Sequence, residues 1–147
     1  MELSQPKNAT ELKASSELLA HTAARVLIEK KALDVRLYCV GQNSSVTDYF
    51  LNVTGRSVTQ VASLVDYLID ELEKRGVSPL RVEGKRGTTW FLVDFGDLIV
   101  NIFDRPSREF YNFDHLLPED SAVSVEEDIR AVDEKLSLMK TTEEKTI

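Results

Sequence analysis

"TDYFLNVTGRSVTQVASLVDYLIDELEKRGV", residues 47–77, changes its hydrophobic period partway along. The first part, 47–55, is rich in aromatic and β-branched side chains and ends at Gly55, as a strand does. From Val58 the period becomes helical: Val58, Val61, Ala62, Val65, Leu68, Ile69 and Leu72 recur on one face, which predicts a core-facing helix. Ser57 and Gln60 stand between the two with the spacing of a capping box, in which the hydroxyl accepts from the amide N–H three residues on. Gly76 supplies the helix stop. A strand feeding a capped helix predicts an α/β fold.

Toward the C-terminus, "LRVEG" (80–84) reads as a short strand after Pro79. The stretch "EGKRGTTWFLVDFGDLIVNIFD" (83–104) adds two more, Thr88–Val93 and Leu98–Phe103, joined at "DFGD", where Gly96 can take positive φ. Alternation puts Trp90 and Leu92 on one face and Phe91 and Val93 on the other, both apolar, as in a central strand covered on both sides. Trp90 nonetheless opens its strand just after a Gly-bounded basic loop, where one side can stay open. On the residues alone, core and interface readings of Trp90 balance. Asp94 and Asp97 flank the hairpin tip, where Asp commonly serves as a turn former.

Toward the N-terminus, residues 10–31 place Leu12, Leu19, Ala23, Val26 and Leu27 on a helical stripe. "DVRLYCV" (34–40) alternates, with Val35, Leu37 and Cys39 on one side, so Cys39 reads as a buried structural thiol. At the other end, "RPSREFYNFDHLLPED" (105–120) is irregular and aromatic, with a helical turn. Ser124 and Glu127 repeat the capping-box spacing, and Val125, Ile129, Val132, Leu136 and Met139 mark a last amphipathic helix. "TTEEKTI" (141–147) should fray. The predicted organisation is a single α/β domain over 1–121 with an acidic, helical extension over 122–147.

Composition sets bounds on function. A chain of 147 residues, 42% hydrophobic and 29% charged, suits one ordinary globular domain. The net charge of −7 is uneven: residues 114–147 carry ten acidic and four basic side chains, while 1–113 carry fifteen and fourteen. That balance argues against independent nucleic-acid binding, which needs a basic excess to replace phosphate counterions. It favours basic partners, with solubility as the bland alternative for the acidic tail. No apolar run approaches the ~20 residues that span a bilayer, and the first residues resemble neither a signal nor a transit peptide, so a cytoplasmic location without membrane association is expected. The single Cys excludes an intramolecular disulfide, and Asn-x-Ser/Thr at Asn8, Asn43 and Asn52 reads as chance.

Catalytic motifs fall away one by one. His21, His115 and Cys39 are isolated, without paired metal-ligand spacing; His21 should be half-exposed on its helix and His115 on the surface. No Ser sits in a nucleophile elbow, and "DFG" (94–96) lacks the other kinase motifs. "GKRGTT" (84–89) has Arg86 where a phosphate loop needs Ser or Thr. The most serious enzymatic reading is a divergent nucleotidyltransferase, with Gly55 and Ser57 of "TGRS" presented to a phosphate at the helix N-terminus. That chemistry needs two carboxylates on one strand face for divalent ions, and no Asp-x-Asp or Glu-x-Glu pair lies on a candidate strand after that turn. No cofactor is called for.

Taken jointly, Thr47-Asp48-Tyr49, Thr54-Gly55, Glu83-Gly84, Trp90, Asp94, Gly96-Asp97 and Arg108-Glu109-Phe110-Tyr111 resemble the ribosomal silencing factor (Iojap-related) family, in motif order and spacing from about Ser15 to Asp120. Asn101 stands where that family usually carries His, and Leu117 where Trp is common. The resemblance implies a mixed β-sheet flanked by helices, related to nucleotidyltransferases but without their catalytic carboxylates. It further implies a non-enzymatic translation repressor that binds the large ribosomal subunit through its universal protein fourteen, blocks joining of the small subunit, and in many members forms a homodimer. On that reading Trp90, Asp94, Asp97, Phe110 and Tyr111 are the partner-binding residues. Trp90 supplies the contact and the two carboxylates lie nearby to meet basic groups. Phe110 and Tyr111 are read as core or dimer contacts ahead of a ribosome contact.

Overall fold

The computed structural model describes residues 15–42, 44–84 and 89–146, with side chains through 141. Leu12, Asn8, Asn43 and the basic loop at 85–88 lie outside the described residues. Six strands form one mixed sheet: β1 (Leu33–Cys39), β2 (Tyr49–Gly55), β3 (Arg81–Glu83), β4 (Trp90–Asp94), β5 (Leu98–Asp104) and β6 (Ala122–Val123). Their order is β3-β4-β5-β2-β1-β6, with β2 and β5 parallel and every other pair antiparallel. Among the described residues four α-helices accompany them: α1 (Ser16–Glu29), α2 (Val58–Lys74), α3 (Arg105–Tyr111) and α4 (Glu126–Thr146).

The strand–cap–helix unit forms as its residues dictate. Ser57 Oγ accepts from the Gln60 N–H at 3.1 Å, and Gln60 Oε1 reaches back to the Arg56 N–H at 2.5 Å. This is a capping box whose return bond lands one residue early. Gly76 takes φ 81° just past the helix end. The buried face of α2 is Val61, Leu64, Val65, Leu68 and Leu72. Leu64 joins the stripe, while Val58 and Ala62, expected in it, are exposed. The face is narrower than the apolar pattern because flank positions of a surface helix point past the sheet.

Helices α1 and α2 cover one face of the sheet. Their buried residues merge with Leu37, Tyr49, Leu51, Val53, Val93, Leu98, Val100 and Ile102 into a single apolar core. Cys39 corrects an expectation: it shares the face of buried Leu37 but ends β1, and its thiol is exposed. Alternation sets a face, and strand ends are where cover runs out.

The C-terminal segments are more ordered than their sequence suggests. Asp104 caps α3 by accepting the Ser107 N–H at 3.0 Å, and Asn112 closes it in the left-handed conformation at φ 47°. Two 3₁₀ turns follow, Phe113–Leu116 and Glu119–Ser121. β6 then pairs with β1, and α4 packs on α1 through Asp128, which is 1% exposed and holds His21 Nδ1 at 2.6 Å and Arg25 Nε at 2.7 Å. Ser124 Oγ caps through the Glu126 N–H, not Glu127 as the spacing predicts. Of the predicted stripe, Val132 is buried, Val125 and Leu136 are half-buried, and Ile129 and Met139 are exposed. The helix continues to Thr146 where fraying was expected. Among the described residues no helix is long and apolar enough to cross a membrane.

Candidate partner-binding face

Among the described residues, no long helix lies over the sheet's second face. Alternation delivers Phe50, Asn52 and Thr54 from β2, Ile99, Asn101 and Phe103 from β5, and Trp90 and Leu92 from β4. Of the described segments, α3 and the 3₁₀ turn after it lie across this side, and they bring aromatic side chains with them. The result is an aromatic ladder that climbs from core to solvent. Phe103, fully buried, stacks on Trp90 with centroids 5.0 Å apart; Trp90 meets Tyr111 at 4.8 Å; Tyr111 meets Phe110 edge-on at 5.1 Å. Exposure rises along it to 51% at Tyr111 and 81% at Phe110. Phe113 joins from the side, 6.2 Å from Trp90 and 5.2 Å from Phe50. Leu116, in the adjoining turn, is also exposed. Scattered surface Leu residues are ordinary, but a contiguous aromatic step ending in a solvent-facing Phe is the type of patch that partners cover.

Beneath the ladder lies a hydrogen-bonded network rather than an apolar core. Arg108, nearly buried, grips Asp114 through Nε at 2.9 Å and Nη2 at 3.2 Å. Its Nη1 donates to the Asp34 carbonyl at 2.6 Å and to Thr54 Oγ1 at 2.9 Å. Asp34 sits at a bulge in β1 with φ 47°, so the guanidinium ties an irregular strand to α3. Asp114 Oδ1 also accepts from the Tyr38 hydroxyl and from Asn52 Nδ2, each at 2.9 Å. Asn52 Oδ1 accepts from Asn101 Nδ2 at 3.0 Å, and Asn101 Oδ1 accepts the Trp90 indole N–H at 3.0 Å.

The electrostatics follow from those partners. Burial alone would raise the Asp114 carboxyl, but hydrogen bonds from Arg108, Asn52 and Tyr38 outweigh it and hold it below the ordinary carboxylate range. Burial, then the bond to Asp114, pushes the Tyr38 phenol up to about 12.

The five residues singled out from sequence divide into two groups. Trp90, Tyr111 and Phe110 come together in the ladder. Trp90 is half-buried, and Phe110 and Tyr111 are solvent-facing, which corrects the core reading for both. Asp94 and Asp97 lie at the far end of β4, with Asp94 about 13 Å from Trp90 at the usual strand rise. Asp94 is committed to the hairpin: Oδ1 accepts the Gly96 N–H at 2.8 Å and Oδ2 pairs with Arg81 Nε at 3.2 Å, while Gly96 turns the chain at φ 92°. Asp97 is exposed at the tip.

Sequence reasoning missed the network itself. Its trace was an Asn in each of two apolar strands, Asn52 in "YFLNVTG" and Asn101 in "LIVNIFD", and the two are register partners across β2 and β5. Asn52 is fully buried and bonded, so it offers no glycosylation acceptor.

The phosphate-binding alternative at "TGRS" has its groups spent elsewhere. The capping box occupies the Arg56 and Gln60 amides, and a Cβ at Gly55 would come within 2.8 Å of Val61. Gly55 thus permits close strand–helix packing. Among the described residues, no cluster of three or more His, Cys, Asp or Glu is placed to hold a metal ion.

Comparison with known proteins agrees with this architecture. The family model described as "Ribosomal silencing factor during starvation" matches residues 13–146, which reaches beyond the 15–120 span of the motif resemblance and includes α4. The ribosomal silencing factor of Haemophilus influenzae is 38% identical over 86 residues, 58% of this chain and 84% of that protein. The mouse protein named "Mitochondrial assembly of ribosomal large subunit protein 1" is 27% identical over 123 residues, covering 70% of this chain and 54% of its own. A solved structure from Chromobacterium violaceum superimposes with a TM-score of 0.68 at 25% identity, covering 70% of this chain and 86% of that one. The chain belongs to the ribosomal silencing factor family.

Proposed function

We propose that this family member is a non-enzymatic translation repressor. It binds the large ribosomal subunit through the universal large-subunit protein fourteen and sterically blocks joining of the small subunit. The observation that carries this reading is the aromatic ladder, whose outer rung, Phe110, stands 81% exposed on a face that, among the described residues, only the short α3 and the 3₁₀ turn after it cross. Desolvating such rings against a partner is how a small interface concentrates its affinity. The names of the relatives, a ribosomal silencing factor and a large-subunit assembly protein, support the choice of partner. On this reading Trp90 and Tyr111 form the rigid base of the contact and Phe110 its probe, while Asp97 orients encounter with basic groups.

The test is co-sedimentation of purified protein with large subunits, followed by a subunit-joining assay. Binding to large subunits with a dose-dependent loss of joined ribosomes is expected. Binding without any effect on joining would remove the steric block, and detection of a magnesium–nucleotide site by calorimetry would defeat the non-enzymatic claim.

A further inference from the structure

We propose that Asn101, Asn52 and Asp114 form a one-way hydrogen-bond chain that sets the orientation of Trp90 and so presets the partner-binding face; the role in binding rests on the function proposed above.

An indole N–H can only donate, and an ionised carboxylate can only accept. Between Trp90 and Asp114 stand two amides, each with one accepting and one donating end. Asn101 must therefore turn its oxygen to Trp90 and its nitrogen to Asn52, and Asn52 must turn its nitrogen to Asp114. The bonds at 3.0, 3.0 and 2.9 Å follow that order. Flipping either amide would set donor against donor at one contact and acceptor against acceptor at the next. Both amides are fully buried, so water is not there to relieve the mismatch. Among the described residues, no buried side-chain polar atom lacks a partner.

The chain also crosses the molecule in a useful direction. It runs from β4 through β5 and β2 into the 3₁₀ turn that carries Asp114, immediately after the helix that carries Tyr111 and Phe110. Arg108 clamps the Asp114 end to that same helix. Stacking on Phe103 and a tilted contact with Tyr111 confine the indole to a slot, but such ring contacts tolerate sliding and rotation in the plane. The bond to Asn101 removes that freedom. A ring held before the partner arrives loses less entropy on binding, which is the gain from preorganisation. These three are positioning residues, and none needs to touch the partner.

Trp90 is the only Trp in the chain, so the indole N–H gives a single resonance in a nitrogen-15 correlation spectrum. The decisive variant is Asn52→Leu, which changes a residue one link beyond the indole's own acceptor. The chain predicts that the indole resonance shifts and its hydrogen exchange accelerates about tenfold or more, while large-subunit binding weakens about tenfold, ~1.4 kcal/mol. A role limited to local packing would leave the indole signal where it is, and an unchanged resonance and exchange rate in folded Asn52→Leu overturns the proposal. Should Asn52→Leu fail to fold, Asn52→Leu/Asn101→Leu replaces both interior amides by apolar side chains of similar shape, so that neither amide is left facing an apolar partner across the strands. That double variant must bind large subunits more weakly than wild type, and wild-type binding with a displaced indole overturns the positioning role. If wild-type protein does not bind large subunits at all, the functional reading fails, and the indole readout still decides whether the chain operates.

Discussion

The two faces of the sheet are built from the same strands, residue by alternate residue, and stabilised by opposite means. On the face under α1 and α2, Leu51, Val53, Val100, Ile102 and their helix partners form an apolar core that has no preferred direction. On the other face, Asn52, Thr54 and Asn101 occupy the alternate positions, and directional bonds to Arg108 and Asp114 hold a short helix in place. The apolar face can tolerate adjustment, because burial depends on area and shape. The polar face cannot, because each bond specifies an angle and a partner. A surface that must present rings in one arrangement gains from the second construction.

The comparison predicts effects of graded size. The largest belongs to the apolar face: Leu68→Ala, fully buried, should cost about 2–5 kcal/mol in urea denaturation, with binding unchanged in whatever fraction stays folded. A loss well under 1 kcal/mol would mean that this core is looser than its burial indicates.

The polar face should respond to pH where the apolar face does not. The Asp114 carboxyl is held below its ordinary value of 3.8, so its contribution is fully present above that value and is lost as pH falls through the lower, folded-state value. Wild type should therefore lose stability more steeply below about pH 4 than Asp114→Asn does. Equal slopes in parallel denaturation series would show that the carboxylate is not coupled to folding. At neutral pH, Asp114→Ala should cost about 2–3 kcal/mol, below the 3–5 of a fully buried pair because the carboxylate is partly solvated.

Next in size, Trp90→Ala should affect both properties, lowering stability by about 2–3 kcal/mol for a half-buried indole and large-subunit binding by about 2 kcal/mol or more. Phe110→Ala should separate them: stability within about 0.5 kcal/mol of wild type, affinity down roughly tenfold. A Phe110→Ala protein that binds normally would place the contact elsewhere on the molecule. The smallest effect is expected at Asp97→Asn, exposed at the hairpin tip, whose influence on binding should appear at low salt and vanish as screening grows.

Legibility in the sequence followed the range of the interactions. The "DFGD" turn was readable because Asp94 bonds an amide two residues away and Gly96 meets its own steric requirement. The partner-binding roles proposed for Phe110 and Tyr111 were suggested only by family resemblance, since a short, irregular aromatic segment has no period that says which way its rings face. Cys39 was misjudged for a related reason: alternation reports a face but not the extent of the layer above it. Nothing local set Asp128 apart, because its partners His21 and Arg25 lie more than a hundred residues earlier.

By itself the sequence determined the local architecture: the strand before Gly55, the cap at Ser57, the stripe of α2, the hairpin at Gly96, and hence a domain alternating α with β. Those features depend on backbone sterics and on partners a few residues apart, which a linear chain displays. The tertiary structure alone decided that Asn52 and Asn101 meet in register, that Asp114 receives Arg108, Tyr38 and Asn52 together, and that Trp90 is pinned while Phe110 stands free of the core. A buried polar group is stable only where donors and acceptors converge from separate strands. Convergence is a property of the folded sheet, in which residues as far apart as Tyr38 and Asp114 come within 2.9 Å.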